Sequence, residues 1–326
     1  MTGQRTSRRG VAWPTRLHVV TGKGGTGKTT VAAALALALA RDGGRVLLVE
    51  VEGRQGIAQL FGLHPLPYQE RRVATTGGAT SGGEVRALAV DAEEALLEYL
   101  ELFYKLGMAG RALRKIGAID FATTIAPGLR DVLLTGKVKE AVTRTADGRR
   151  VYDAVVLDAP PTGRIGRFLN VTAETARLAK VGPVKNQSEG VAAILRSPMT
   201  TVHVVTVLEE MPVQETADAI EELTRLGIPV GRIIVNATQP PGLAGGRLTA
   251  AALRPVLASA GLPTDRATVA GLVAEGRAQQ TRLGVQDALR HELAALGKPV
   301  IELPALPGGV DRAGLDRLAG LLLAGL

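Results

Sequence analysis

The stretch RLHVVTGKGGTGKTTVAAALALALARDGG (16–44) constrains the fold more than any other part of the chain. It reads as an apolar strand, a glycine loop of the pattern G-x-x-x-x-G-K-[ST], and an alanine-rich helix that stops at Gly43-Gly44. RVLLVEVE (45–52) follows, a near-continuous run of β-branched and leucine residues of the kind found in strands buried on both faces. Strand, helix and strand at this spacing form a βαβ unit and predict a parallel sheet. Glycines in such a loop let backbone N–H groups turn inward around a phosphate, at a helix N-terminus whose dipole favours anions. Lys28 is then placed to neutralise β- and γ-phosphate oxygens, and the Thr29 hydroxyl to ligate Mg²⁺. The candidate phosphate-binding set is Gly22, Lys23, Gly24, Gly25, Thr26, Gly27, Lys28, Thr29 and Thr30. Lys23 stands apart within it, because the pattern has no use for a cation directly after the first glycine.

Further strands are expected at EVRALAV (84–90), VYDAVVLDAP (151–160), TVHVVTVLE (201–209), GRIIVNAT (231–238) and KPVIELPAL (298–306). Helices are expected at QETADAIEELTRLG, LTAAALRPVLASAG and QDALRHELAALG, with DRAGLDRLAGLLLAGL as a docked terminal helix. TTGGATSGGE (75–84) reads as a loop. From about Asp91 to Thr145 the pattern is helical without a strand. The expectation is one doubly wound α/β domain over 17–326 with a mainly parallel sheet. A flexible tail (1–16) precedes it, and a helical subdomain is inserted at about 91–147. Asp158 ends an apolar strand, where a carboxylate can hold Mg²⁺ through water. The prolines and glycine after it force the chain out of the sheet, into a loop able to respond to a γ-phosphate.

Composition removes several function classes. With no cysteine, disulfides, thiolate zinc sites, iron–sulfur clusters and cysteine nucleophiles are excluded. The four histidines are scattered and give no metal-ligand spacing. Aromatics at 3% leave the core to aliphatic side chains. The net charge of +8 is uneven, since residues 104–150 hold ten Lys and Arg against four carboxylates. That stretch is open to two readings, a solvated helical face or a recognition surface. It lacks the aromatic interleaving of single-strand binders, so no specific nucleic acid is expected. Ser7-Arg8-Arg9 is followed by no apolar stretch, and the longest apolar run, VAAALALALA, is about half of what spans a bilayer. A cytoplasmic protein is expected.

GKGGTGKTT resembles the deviant P-loop, with its extra signature lysine, of the ParA, MinD and nitrogenase iron-protein group. Within that group, DAPPTGRIGRFL (158–169) is similar to switch II of the arsenite-pump ATPases and of the ATPases that target tail-anchored membrane proteins. EGRQGIAQLFG (52–62) sits where that family has switch I, EEMPVQETADAIEEL resembles another of its segments, and IIVNAT matches its adenine-reading strand end. The resemblance implies ATP as ligand, Mg²⁺, ATP hydrolysis and a nucleotide-switched dimer. It implies that Lys23 reaches across the dimer to the partner's nucleotide, as an arginine finger does. It also implies that Asn236 reads adenine, that Pro304 and Ala305 flank the base, and that Glu209 lies close to nucleotide. Glu52 aligns with the family's water-positioning aspartate but carries an extra methylene, a displacement that can cost roughly 10²-fold in rate. Arg164 stands where the family has histidine.

The missing cysteines argue against arsenite transport, and against the Cys-x-x-Cys zinc clasp of the eukaryotic targeting ATPase. What remains is an ATPase, slow without a partner, acting as a homodimer or as a heterodimer with a paralogue. Its insertion offers an apolar stripe (Leu96, Leu97, Leu100, Phe103, Tyr104 and Met108) that either packs internally or meets a client protein or membrane-protein segment. Two alternatives stay open: a ParA- or MinD-like positioning ATPase, and a weakly active subunit of a heterodimer.

Overall fold

The computed structural model describes residues 15–77, 82–104, 127–170, 183–239 and 248–325. Among them, eight strands form one sheet in the order β10-β9-β8-β1-β7-β2-β4-β3. These strands are β1 (Leu17–Gly22), β2 (Arg45–Glu50), β3 (Arg71–Thr76), β4 (Gly83–Ala89), β7 (Ala154–Asp158), β8 (Thr200–Thr206), β9 (Val230–Thr238) and β10 (Val300–Pro304). Every pairing is parallel except β3 with β4. A two-residue hairpin, β5 (Thr145–Ala146) with β6 (Arg149–Arg150), lies outside the sheet. The architecture is the doubly wound α/β fold expected from the sequence.

The central strands are apolar on both faces because both faces are covered. In β2, Val46 and Leu48 pack with α1 (Lys28–Ala40), α2 (Gly56–Leu60) and the C-terminal helix α10 (Arg312–Gly325). Leu47 and Val49 turn the other way, to α3 (Ala92–Tyr104), α4 (Pro127–Thr143), α5 (Thr162–Leu169) and α6 (Pro183–Leu195). The period of two along a strand thus divides one run between two cores. Helix α1 is apolar all round because it sits between the sheet and α10, and every residue from Val31 to Ala40 is buried. Farther along, α7 (Glu210–Arg225) and α9 (Arg266–Ala295) cover β8 and β9. Helix α8 (Ala250–Ser259) packs on α9 through Leu257, Val269 and Val273.

The structure corrects the sequence reading in four places. β3 is an antiparallel edge strand, so residues 75–76 and 83–84 of the expected loop belong to a β3–β4 pair. Its alternation is hidden by Arg71, Arg72 and three threonine or alanine positions, as befits an edge with one wet face. The helical stretch 91–147 contains Thr145–Ala146 of a short hairpin. Helix α9 begins at Arg266, capped by the Asp265 carboxylate on the N–H groups of Ala267 and Thr268, so the expected helix was only its last third. Helices α5 and α6 were not anticipated at all. Leu96 is buried, and Leu97 and Leu100 pack on the same core, so this part of the apolar stripe is internal. Phe103, Tyr104 and Met108 lie outside the described side chains, as do residues 1–14 of the tail and four of the ten cations of the basic stretch, Lys105, Arg111, Arg114 and Lys115.

Two of the scattered histidines meet in the fold. His18 on β1 and His203 on β8 are buried, with Nδ1 of the first 3.2 Å from Nε2 of the second. Burial pushes both imidazoles down, His18 to about 4, so they form a neutral core pair.

Candidate nucleotide-binding site

β1 ends at Gly22, where the neighbours β7 and β8 lie on either side and the sheet's winding reverses. The loop that follows depends on left-handed glycines, with φ 89° at Gly25 and 86° at Gly27. Gly27 is the N-cap of α1 and brings no capping side chain, and the first turn carries no acid. The leading N–H groups of α1 therefore have no side-chain competitor for an anion. A Cβ on Gly27 would sit 2.3 Å from the Asn236 amide nitrogen and displace it, and the left-handed φ of 86° favours glycine independently. That amide donates to Thr26 O at 2.9 Å, which joins the end of β9 to the loop.

Two carboxylates stand side by side at the ends of β2 and β7, because Glu50 and Asp158 are register partners. Asp158 Oδ2 accepts from Thr29 Oγ1 at 2.6 Å, and both side chains belong to the expected metal set. Burial pushes the Asp158 carboxyl up to about 6, opposed by the Thr29 hydroxyl and reinforced by Glu50 and Glu52. Lys28 is buried beside them, its ammonium disfavoured by desolvation and supported by Asp158 and Glu52. Its Nζ lies 3.4 Å from Lys23 O. Among the described residues no three His, Asp or Glu side chains form a metal cluster. A hydroxyl and one carboxylate suit Mg²⁺ that keeps most of its water and takes phosphate oxygens, so the donor set fits that ion.

Glu50 was missed by the sequence reading. It is 3% exposed, and its carboxylate accepts from the N–H groups of Gly56 and Ile57 at 3.3 and 3.2 Å, fastening the start of α2 to the strand end. The E-V-E repeat at 50–52 was the available signal, since alternate residues of a strand share a face. Gln55 takes φ 56° just before α2, and its amide group bonds both polar atoms of the Leu66 backbone. Glu52 lies 3.7 Å from Arg164 through one oxygen and 3.7 Å from Arg54 through the other, beyond hydrogen-bond length. Arg164 belongs to α5, so Glu52 links the segment after β2 to that helix electrostatically.

On the far side of β9, Pro304 and Ala305 line a cavity of about 980 Å³ with Thr238, Leu283, Arg290 and Arg317. The left-handed Ala237 (φ 55°) directly precedes Thr238 in the chain, and non-glycine strain of this kind gathers at ligand sites. Glu209 is the N-cap of α7, exposed and making no cap hydrogen bond. The loop, Asp158 and Asn236 are thus brought together, whereas Glu209 has no hydrogen bond to the loop.

The sequence profile of the family described as Anion-transporting ATPase matches residues 15–187 and 170–242. The chain belongs to that family. It is 54% identical to ATPase BagA of Mycobacterium tuberculosis over 95% of this chain and 94% of that protein. It is 25% identical to ATPase GET3 of Kluyveromyces lactis, over 67% of this chain and 70% of that protein. The Arsenical pump-driving ATPase of Escherichia coli is also 25% identical, over 76% of this chain and 44% of its own length. The chain is therefore an ATPase of the arsenical-pump and GET3 family, similar to its actinobacterial members, and ATP is its nucleotide. No helix among the described residues is long and apolar enough to cross a membrane.

Proposed function

We propose that this ATPase is a nucleotide-switched dimer of cytoplasmic location that couples its ATP state to a client protein or membrane partner, and that it does not transport arsenite. In this reading the P-loop, switch segments and helical insertion work as parts of one domain. The Thr29–Asp158 contact of 2.6 Å carries the site assignment, since it joins the loop to the strand-end carboxylate where phosphate-bound Mg²⁺ belongs. Lys28, the α1 N-terminus and the loop amides bind the β- and γ-phosphates. Asn236, Pro304 and Ala305 receive the base. Mg²⁺, when bound, supplies positive charge that offsets the developing charge on the transferred phosphoryl group. Glu52 orients the attacking water, and Lys23 acts on the nucleotide of the second subunit.

The 3.7 Å pairs of Glu52 with Arg54 and Arg164 favour slow basal turnover, because the acceptor must leave two cations to meet water. The absence of cysteine supports a cargo other than arsenite, which thiolates hold. The test is ATP turnover in mixed dimers, one subunit carrying Lys23→Ala and the other a hydrolysis-dead site. Turnover by the Lys23→Ala subunit is expected, because its hydrolysis-dead partner still supplies the lysine that acts on its nucleotide. A mixed dimer as inactive as the Lys23→Ala homodimer would overturn the action across subunits.

A further inference from the structure

Lys23 is held within its own chain. Its Nζ donates to Glu215 Oε1 at 2.7 Å. Glu215 lies in the second turn of α7, and its other oxygen accepts from Thr162 Oγ1 at 2.8 Å. Thr162 opens α5, four residues after Asp158, and is buried. One carboxylate therefore spans the P-loop and switch II, with a separate donor on each oxygen. The hydrogen bond from Lys23 is the largest reason the Glu215 carboxyl sits below its ordinary value.

We propose that Glu215 is a positioning residue of the nucleotide cycle, one that parks Lys23 in its own subunit and releases it when switch II carries Thr162 away. The proposal rests on the reading of Lys23 as a cation that acts across the dimer. With Thr162 in place, both carboxylate oxygens are bound and the side chain has one orientation. Once Thr162 leaves, the carboxylate regains rotational freedom. Both partners are 32% exposed, so the remaining pair has only the marginal stability of a wet ion pair. Lys23 can then exchange Glu215 for the more highly charged phosphates of the nucleotide on a second copy of this chain. The contact thus makes dimer closure answer to the state of switch II.

The experiment compares wild type, Glu215→Gln, Thr162→Val and Lys23→Ala, using ATP-dependent dimerisation by sedimentation and turnover at saturating ATP. Glu215→Gln is expected to lower the ATP concentration for half-maximal dimerisation about two- to fivefold, the range of one exposed ion pair. The gap between wild type and Glu215→Gln should narrow as salt rises, because screening weakens the parked ion pair that only wild type has, a response that a merely structural role would not give. Thr162→Val should fall between the two. The Glu215 carboxyl, titrated by NMR in the nucleotide-free protein, should move up toward its ordinary range in Lys23→Ala, with the Thr162 hydroxyl still opposing the rise. If Glu215→Gln loses turnover as fully as Lys23→Ala, the carboxylate places the lysine for catalysis and the parking role is overturned. Unchanged dimerisation in Glu215→Gln overturns it equally. If Lys23→Ala leaves turnover unchanged, the action across the dimer falls and the release step with it. The carboxyl titration then reports the pair within the chain by itself.

Discussion

Two regions of the molecule are dense in charge and resolve it differently. Where α3 and α4 meet the sheet, charges are matched at short range. Tyr68 donates to Glu98 at 2.5 Å, and Lys137 donates to the same carboxylate at 2.8 Å. Arg144 grips Glu140 with two bonds of 2.6 Å, pairs with Glu70 at 2.8 Å and lies over the Tyr152 ring. Tyr68, Glu70, Glu98, Lys137, Glu140 and Arg144 line an open cavity of about 460 Å³ with opposite charges already paired across it. At the ends of β2 and β7, by contrast, Glu50, Glu52 and Asp158 crowd together. There the Asp158 carboxyl is raised to about 6, and Glu52 is met by cations only at 3.7 Å. The first arrangement is complete as it stands. The second gains from a divalent cation and a phosphate chain, and perturbed acids in a crevice of this kind mark function. Charge density alone does not distinguish a site from a strut; the state of its pairing does.

The comparison breaks most readily at Lys28. Lys28→Ala should weaken ATP binding by at least about 10²-fold in calorimetry, since it removes a buried charge facing the phosphates. Unchanged affinity would move the site elsewhere. Next comes Glu52→Gln, expected to cut hydrolysis about 10²-fold while ATP stays bound, with Glu52→Asp retaining substantial activity. Equal turnover for wild type and Glu52→Gln would leave Glu52 with only its pairing to Arg54 and Arg164.

A smaller effect should follow pH. The folded Asp158 carboxyl at about 6 lies above its ordinary value of 3.8, so its protonated form favours the fold. That contribution is fully present below 3.8 and is lost as pH rises through about 6. Metal binding has the opposite sign, since it requires the anion. Mg²⁺-dependent ATP affinity should therefore fall about tenfold per unit as pH drops below 6, and Asp158→Asn should abolish that slope. The smallest effect is expected in the completed network. Arg144→Met should cost about 1 kcal/mol in denaturant unfolding and leave ATP affinity unchanged. A change in affinity there would erase the distinction between the two regions.

The loop glycines, Lys28, Thr29 and Asp158 stand out in the sequence as candidates because phosphate binding demands those residue types at fixed local spacing, with a strand before and a helix after. The buried strands were legible for a related reason, since burial on both faces leaves a continuous apolar run. Edge strand β3 was not, because one wet face and two arginines erase that signal. Glu50 and Glu215 were hidden among many acids, as a lone Glu carries no local pattern. Only the parallel register places Glu50 beside Asp158, and only the packing of α7 brings Glu215 to Lys23 and Thr162. The meeting of His18 and His203 came from the β1–β8 pairing in the same way. Sequence by itself determined the nucleotide loop and the α/β architecture, because both follow from short-range periodicity and backbone conformation. Tertiary structure alone decided which charges meet, because those contacts join residues far apart in the chain, across strand order and helix packing that no local window contains.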